Sequence, residues 1–383
     1  MKRRWKWLGI LACVLAVLYL TAVYAPLPWI VRMRDAYLST ALGTQNHQWL
    51  ATALLPKSVV QEALDRRQAA MEAQAGLRTR WPVQPTARTP VEVRDRESFW
   101  ALFSEIKPSS LDAWLHSHPE ALAQGWSQLT VNEAGLNDRG TEIRTVCGEQ
   151  VLAVDVPNRL LLVRVEGSGW RGVLAVAKDP SQLSIQASSL LGVTGETAGE
   201  IARAQNGVLA MTCSGFEDED GGKLAGWAMC GGTAYGDAHL PEGNKRLELR
   251  QDDLFYICDS SDPVAADCTD AVEFHPALIV DGETVVDSTW SGLQPRVCIG
   301  QTDRGEILML VIEGRIPSRG LLGADLPACA ALLQRHGCMQ AMNLDGGNSA
   351  ILWYNGEPVT QCADAKHPEG RKLPTAFVYG RSE

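Results

Sequence analysis

The polar run NLDGGNS at residues 343–349 has the clearest potential for chemistry. Asn343 and Asp345 are two residues apart, so both side chains point the same way if the backbone is extended. Gly346 and Gly347 follow directly and permit positive φ and close approach of the backbone to another group. Such a turn can hold a carboxylate beside a ligand. The same pattern also occurs in an ordinary Asx turn, and these residues alone do not decide between the two interpretations.

A second group of charged residues is expected at one edge of a sheet. The segment TDRG at 302–305 separates two apolar runs and predicts a hairpin turn between two strands. Antiparallel pairing would bring Arg296, at the start of one strand, close to Glu313 and Arg315, at the end of the other. Guanidinium groups bind phosphate oxygens through paired hydrogen bonds, so this cluster suits an anionic substrate. The alternative is a structural salt bridge at the sheet edge, which these residues alone favour.

A third run, MTCSGF at 211–216, contains Thr212 and is followed by the acidic segment 217–222. Carboxylate oxygens are the ligands that calcium prefers, so this segment is the candidate site for a divalent cation. A solvated acidic turn is the alternative. No other cofactor is identifiable, and no spacing of cysteine and histidine residues indicates zinc.

The elements that must position these residues lie in the second half of the chain. From about residue 141, short apolar runs alternate with Gly, Asp and Asn, which predicts a β-rich domain over 141–383. Two helical intervals interrupt it, at 196–205 and 324–337, and each has a glycine at its far end. We therefore expect an α+β fold with a mixed, largely antiparallel β-sheet and flanking helices.

The N-terminus has the pattern of a membrane signal anchor. A cluster of Lys and Arg precedes an apolar run that extends from residue 8 to 31, long enough to cross a hydrocarbon core of about 30 Å. The positive-inside rule places this cluster in the cytoplasm and the C-terminal domain outside the cell, as a single-pass membrane protein. A cleaved signal peptide ending at Ala25 is the alternative, but Pro26 disfavours cleavage there.

Between the anchor and the β-rich domain, the sequence predicts a membrane-proximal helical stalk and a linker. Helix-forming residues continue to about residue 75, and three prolines at 81–93 are typical of a linker. The predicted boundaries are therefore 1–31 for the cytoplasmic tip and anchor, 32–140 for the stalk and linker, and 141–383 for the β-rich domain.

The composition indicates a packed globular body and excludes several classes of protein. Of the 383 residues, 45% are hydrophobic and 21% are charged, unlike a disordered chain or a polytopic membrane protein. The net charge of -10 argues against nucleic acid as a partner. Ten cysteines fit an oxidising exterior. The short polar loop between Cys258 and Cys268 predicts a disulfide that links them.

Taken together, these motifs resemble the phosphodiester glycosidase family. The resemblance covers about residues 172–380 and rests on several motifs in order, which are NGVLAMTCSGF, AVEFHPALIVDG, QPRVCIGQTDRGEILMLVIEGR, NLDGGNSA and RKLPTAFVYG. It implies a hydrolase of the bacterial cell surface that cleaves a sugar-1-phosphodiester, with a role in envelope or exopolysaccharide metabolism. The implied partners are a sugar-phosphate or phosphoglycan substrate and the membrane.

Carried onto this sequence, the resemblance implies that Asp345 and Glu313 are the catalytic residues. Asp345 would stabilise or attack the cationic sugar carbon, and Glu313 would act as general base for water. The residues implied to bind the substrate are Thr212, Arg296, Arg315, Asn343, Gly346 and Gly347.

The sequence departs from the family pattern at three positions of these motifs. Thr212 stands where the family has asparagine, Glu313 where it has aspartate, and Val297 where it usually has threonine. A longer carboxylate and a lost amide leave a second hypothesis open, in which the domain is catalytically silent and binds phosphoglycans or assembles a polysaccharide. The retained arginines and Asp345 favour the enzyme.

Overall fold

The computed structural model describes residues 2–42, 48–81, 91–136, 139–241 and 243–380. Residues 82–90, which hold most of the predicted linker, lie outside the described residues. The chain forms two compact units. The first comprises Met1–Ala70 with Asp287–Leu293, and the second comprises Met71–Val286 with Gln294–Glu383.

The α-helices are α1 (Lys2–Tyr24), α2 (Pro28–Leu42), α3 (Trp49–Leu54), α4 (Lys57–Ala75), α5 (Arg96–Leu102), α6 (Pro108–Ser117), α7 (Ala198–Ala204) and α8 (Leu326–Arg335). Among the described residues, α1 contains one stretch, Arg4–Tyr24, that is long and apolar enough to cross a membrane. The helix ends at Tyr24 and α2 begins at Pro28. The apolar run expected to continue to residue 31 is therefore interrupted, because proline lacks the amide hydrogen that would extend a helix.

In the first unit, α2, α3 and α4 pack around a small apolar cluster. Leu38, Ala41, Ala51 and Val60 are buried there. The Tyr37 hydroxyl also donates to a backbone carbonyl of α3 at 2.6 Å. The described part of the predicted stalk in this unit is thus mainly helical.

The second unit is built on antiparallel β-sheets. Its strands are β1 (Thr130–Asn132), β2 (Gln150–Asp155), β3 (Leu160–Gly167), β4 (Trp170–Ala177), β5 (Leu183–Ala187), β6 (Leu209–Thr212), β7 (Ala228–Cys230), β8 (Thr233–Tyr235), β9 (Lys245–Arg250), β10 (Phe255–Asp259), β11 (Cys268–Phe274), β12 (Ala277–Val280), β13 (Glu283–Thr284), β14 (Arg296–Thr302), β15 (Ile307–Glu313), β16 (Cys338–Asn343), β17 (Leu352–Tyr354), β18 (Glu357–Pro358) and β19 (Thr375–Tyr379).

Within the described residues, these strands form three sheets. A nine-stranded sheet has the order β1-β2-β3-β4-β15-β14-β16-β12-β13. Two five-stranded sheets have the orders β10-β9-β11-β7-β8 and β18-β17-β6-β19-β5. Side chains of all three sheets, among them Leu162, Leu247 and Phe377, pack in one buried apolar cluster. The predicted α+β class with a largely antiparallel sheet is confirmed.

The hairpin predicted around TDRG is present in the nine-stranded sheet. Strands β14 and β15 pair antiparallel, with Arg296 opposite Ile312 and Gln301 opposite Ile307. Every residue of β15 is buried, and the strand lies inside the sheet between β4 and β14. This burial explains the continuous apolar run ILMLVI, which lacks the alternation of a half-exposed strand.

Both predicted helices of the domain are present and have capped N-termini. In α7, Thr197 and Glu200 form a capping box with each other's backbone amides. In α8, the carboxylate of Asp325 accepts a hydrogen bond from the backbone amide of Ala328 at 2.8 Å.

Residues 71–140, which the sequence assigned to a stalk and linker, fall within the second compact unit. The Gln74 side chain donates to the Ala277 carbonyl at 3.0 Å, and the Thr79 amide donates to the Ile257 carbonyl at 2.9 Å. Strand β1 pairs with β2 at the edge of the nine-stranded sheet. These contacts join residues far apart in the chain, which no local pattern indicates.

The predicted disulfide between Cys258 and Cys268 is wrong, since both cysteines are free thiols. Strands β10 and β11 lie on opposite sides of β9, and two strand spacings separate their backbones by about 9 to 10 Å. A disulfide requires Cα atoms within about 7 Å of each other. The Cys258 thiol instead lies 3.6 Å from the Arg246 carbonyl.

Candidate active site

The residues 343–349, called the site turn below, connect two sheets. Strand β16 of the nine-stranded sheet ends at Asn343, and β17 of a five-stranded sheet begins at Leu352. Between them, Gly347–Ser349 form a single 3₁₀ turn. The predicted change from strand to sharp turn is therefore present, and it places Asp345 where the chain passes from one sheet to the other.

Backbone hydrogen bonds hold the site turn against the start of β14. The Leu344 amide donates to the Val297 carbonyl at 2.8 Å, and the Gly347 amide donates to the Pro295 carbonyl at 2.9 Å. A Cβ atom on Gly346 would lie 2.7 Å from the Pro295 carbonyl oxygen. Since backbone at that distance cannot be avoided by a small side-chain shift, only glycine fits at position 346.

The next glycine is required for a different reason. Gly347 has φ of +58°, a conformation that residues with a Cβ atom rarely adopt. A Cβ atom there would also lie 3.2 Å from Nη1 of Arg315. Nη1 of Arg315 donates to Oδ1 of Asn348 at 2.9 Å. The glycine thus permits a guanidinium group to lie directly on the turn.

Asp345 has the most informative electrostatic environment in the site. It is half-buried and keeps some surface accessible to solvent. Protein atoms nevertheless crowd it, and this burial raises the pKa of its carboxyl to about 6. A hydrogen bond from Ser349, the charge of Arg371, the Gly346 amide and the charge of Arg315 each act to lower that pKa. The ionised form predominates at neutral pH, in the field of two guanidinium groups.

Arg371 belongs to the site although the sequence did not single it out. Its guanidinium group donates from Nη2 to the Glu219 carbonyl at 3.0 Å and lies 4.7 Å from the centre of the Phe216 ring. Arg371 begins the motif RKLPTAFVYG. That motif was the available signal, but a lone arginine before a strand has no spacing that points to Asp345.

Glu313 forms an ion pair, but not with the arginines predicted for it. Its Oε2 accepts from Nε of Arg171 at 2.7 Å, and Arg171 is its cross-strand neighbour on β4. Its Oε1 accepts from the Gln361 amide at 2.9 Å. Both oxygens of this buried carboxylate are therefore engaged.

The hairpin brings the end of β15 to Arg296 through the backbone, but the side chains diverge. Nε of Arg296 donates to the Ala324 carbonyl at 3.1 Å. Arg315 lies two residues beyond the end of β15 and turns toward Asn348 in a left-handed conformation, with φ of +56°. The predicted edge cluster is thus divided between the site turn and the loop before α8.

Thr212 and Asn343 are both buried and hold the site turn in place. The Thr212 hydroxyl donates to the Ser349 carbonyl at 2.5 Å. Nδ2 of Asn343 donates to the His275 carbonyl at 2.7 Å. Oδ1 of Asn343 is buried and has no hydrogen-bond partner among the residues that the structure describes. It is therefore a buried acceptor on a residue two positions before Asp345 in the chain.

The acidic segment 217–222 is a turn with local partners. The Asp218 carboxylate accepts from the amides of Gly222 at 3.1 Å and Lys223 at 3.2 Å. Glu217 pairs with the Lys223 ammonium group at 2.5 Å. Over the described part of the chain, no group of three or more His, Cys, Asp and Glu residues is arranged to hold a metal ion. The calcium site stays a prediction.

A cleft of about 300 Å³ lies beside Arg371. Its walls are the segment 366–372, Thr197 and Glu200 at the start of α7, and residues 219–220 of the acidic turn. Arg371 contributes to the cleft and to the electrostatic environment of Asp345.

Comparison with known proteins identifies a family for part of the chain. Residues 205–379 match the family model described as phosphodiester glycosidase. The catalytic domain of zebrafish N-acetylglucosamine-1-phosphodiester alpha-N-acetylglucosaminidase, auto-inhibited by its pro-peptide, is similar at 16% identity over 68% of this chain and 91% of that chain, with a TM-score of 0.48. A hypothetical protein from Synechocystis is similar at 14% identity over 60% of this chain and 63% of that chain, with a TM-score of 0.42. No curated protein matches the chain. The site turn, Arg315 and Arg371 all lie within residues 205–379, which form a domain of the phosphodiester glycosidase family.

Proposed function

We propose that this protein is a membrane-anchored hydrolase that cleaves sugar-1-phosphodiesters outside the cell. The observation that carries the proposal is the crowded carboxylate of Asp345, which lies in the field of Arg315 and Arg371 within the family domain. A carboxylate and two guanidinium groups provide the opposite charges that a cationic sugar carbon and an anionic phosphate need at adjacent positions.

The chemistry requires little acid assistance. Water adds to the anomeric carbon, the bond from that carbon to the phosphate oxygen breaks, and the products are the free sugar and a phosphomonoester. The phosphomonoester leaves as a stabilised anion, so the main demand is on charge that develops at the sugar carbon. Asp345 stabilises this charge or attacks the carbon, and either role requires its ionised form.

The arginines bind the phosphate. Arg315 is held on the site turn by Asn348, and Arg371 lies on the other segment that faces Asp345. Arg296 completes the set that the family pattern implies. The general-base role of Glu313 stays a prediction, and the Arg171 pair and the Gln361 amide on its oxygens favour a positioning role.

The location is proposed from the N-terminal segment. The helix α1 is apolar over Arg4–Tyr24 and follows a basic tip, which supports a signal anchor with the domain outside the cell. A substrate there would be a phosphoglycan or another sugar-phosphate of the cell envelope, including exopolysaccharide.

The second candidate is a silent module that binds phosphoglycans without cleaving them. It is favoured by Glu313, since both oxygens of this carboxylate are already engaged. The test incubates the full chain in detergent with chromogenic sugar-1-phosphodiesters that differ in the sugar. Release of a phosphomonoester that stops with Asp345→Asn supports the enzyme. Saturable binding of these substrates without any release supports the silent module.

A further inference from the structure

The segment that forms one wall of the cleft beside Arg371 follows residues that contact the site turn. Five residues before this wall, the Gln361 amide donates to Oε1 of Glu313 at 2.9 Å. The thiol of the next residue, Cys362, lies 3.2 Å from the Asn348 carbonyl. Further along, a Cβ atom on Gly370 would lie 3.2 Å from the Ile351 side chain. The chain therefore contacts the site turn at Cys362 and then forms the cleft wall at 366–372.

The order of groups along this path indicates which part of a substrate the cleft receives. Asp345 is the group that faces the sugar carbon in the proposed reaction. The charge of Arg371 acts on it and lowers the pKa of its carboxyl. Arg371 also lines the cleft. A phosphate bound by Arg371 therefore separates the sugar, at Asp345, from whatever occupies the cleft.

The lining of the cleft supplies groups that can bind hydroxyls. Apart from Pro368 and Gly370, the lining residues are polar or charged. The carboxylates include those of Glu200, Asp220 and Glu369, and the cations include Lys366, Arg371 and Lys372. An alkyl chain would remove water from these charges without replacing its hydrogen bonds. A hydroxyl group can replace both kinds of hydrogen bond that water makes there, because it donates to carboxylates and accepts from ammonium and guanidinium groups.

We infer that the cleft binds the alcohol half of the phosphodiester and that this alcohol is a polyol. The inference rests on the proposed function, in which Asp345 faces the sugar and the phosphate lies at the arginines. The volume of about 300 Å³ is at the lower end of the range of small-molecule sites, which suits a short polyol such as glycerol or a sugar alcohol.

The test measures binding of two phosphomonoesters that differ only in hydroxyl groups. Glycerol 1-phosphate and n-propyl phosphate have the same carbon chain and phosphate, and neither has a glycosidic bond to cleave. Titration calorimetry with the full chain in detergent should give at least tenfold tighter binding of glycerol 1-phosphate. Equal affinities, or tighter binding of n-propyl phosphate, would overturn the inference.

The double variant Asp220→Asn/Glu369→Gln tests which groups bind the hydroxyls of the polyol. We expect it to reduce the tenfold preference to about twofold, because amides replace the carboxylates that accept from the polyol. Arg371→Lys should weaken both ligands to a similar extent, since both contain the phosphate. The matched control is Glu166→Gln/Glu357→Gln, which removes two exposed carboxylates of β3 and β18 and should keep the parental preference. A double variant with the full preference would contradict the assignment.

Two further outcomes separate this inference from the proposed function. If glycerol 1-phosphate binds as expected but no sugar-1-phosphodiester is cleaved, the hydrolase is refuted and the polyol cleft stands. If substrates are cleaved but the parent shows no hydroxyl preference, the cleft assignment fails alone. Glucose 1-phosphate should bind without dependence on Asp220 and Glu369. If these variants weaken glucose 1-phosphate instead of glycerol 1-phosphate, the cleft holds the sugar and the inference is wrong.

Discussion

Arg315 donates a hydrogen bond from Nη1 to the side-chain oxygen of Asn348, with 2.9 Å between the two atoms. This contact joins the end of one strand of the central hairpin to the turn that carries Asp345. It fixes a cation beside a carboxylate whose pKa burial raises to about 6. The pair therefore links the geometry of the site turn to its charge, and both can be tested by substitution.

Asp345→Asn should abolish sugar-1-phosphodiester cleavage while the protein stays folded. The amide keeps the shape of the side chain but removes the charge that stabilises a cationic transition state, so kcat should fall by about 10²-fold or more. Steady-state kinetics with circular dichroism on the same samples would measure this. Asp303→Asn, in the exposed hairpin turn, is the matched control. Near-parental turnover would make Glu313 the leading carboxylate.

Arg315→Lys should mainly raise KM, by about tenfold, because an ammonium group keeps the charge but loses the planar fork that binds phosphate. Arg296→Lys should raise KM less, since Nε of Arg296 already donates to the Ala324 carbonyl. Initial rates over a range of substrate concentrations give both values. Arg335→Lys, at a partly exposed ion pair with Glu149, controls for the loss of a guanidinium group elsewhere. An unchanged KM in Arg315→Lys would exclude Arg315 as a phosphate ligand.

Stability should depend on pH through Asp345. The pKa of its carboxyl is about 6 in the folded protein, compared with the ordinary aspartate value of 3.8 expected in the unfolded chain. The folded state therefore binds the proton more tightly, and stability is lost as pH rises through this window, by about 2 to 4 kcal/mol. Asp345→Asn mimics the neutral form. Its thermal midpoint, relative to the parent, should be several degrees higher at pH 8 than at pH 4.5. The same difference between variant and parent at both pH values would contradict a raised pKa.

Gly346→Ala should destabilise the site turn. The new methyl group would lie 2.7 Å from the Pro295 carbonyl oxygen. Overpacking of this kind typically lowers the free energy of unfolding by about 1 to 3 kcal/mol. Urea denaturation and activity should both show the loss. Gly76→Ala is the matched control, because a Cβ atom there has nothing within 4 Å. If Gly346→Ala is as stable and active as the parent, the close approach is not a constraint.

The N-terminal helix should stay attached to the mature protein. Pro26 directly follows the small-residue cleavage pattern that ends at Ala25, so processing there should be poor. Protease added to intact cells should digest the domain, while a tag fused before Met1 should remain protected. A mature chain that begins near Pro26 and is released to the medium would contradict the anchor.

The elements of the site could be predicted where neighbouring residues carry the information. The β14 and β15 strands are consecutive apolar runs around a turn signal, so their pairing needs no knowledge of the rest of the fold. The helices α7 and α8 have caps within a few residues of their N-termini. Asp345 and its two glycines likewise stand in one short run, and the family resemblance that this run carries is confirmed.

Contacts between distant segments could not be predicted in the same way. Glu313 pairs with Arg171 because β15 lies beside β4 in the sheet, which no pattern around either residue indicates. Arg371 approaches Asp345 only because the segment 361–372 packs back on the site turn. Cys258 and Cys268 looked close because only nine residues of chain separate them, yet β9 pairs between their strands and keeps them apart. Local spacing determines turns, caps and hairpins, whereas strand order and long-range packing determine which charges meet.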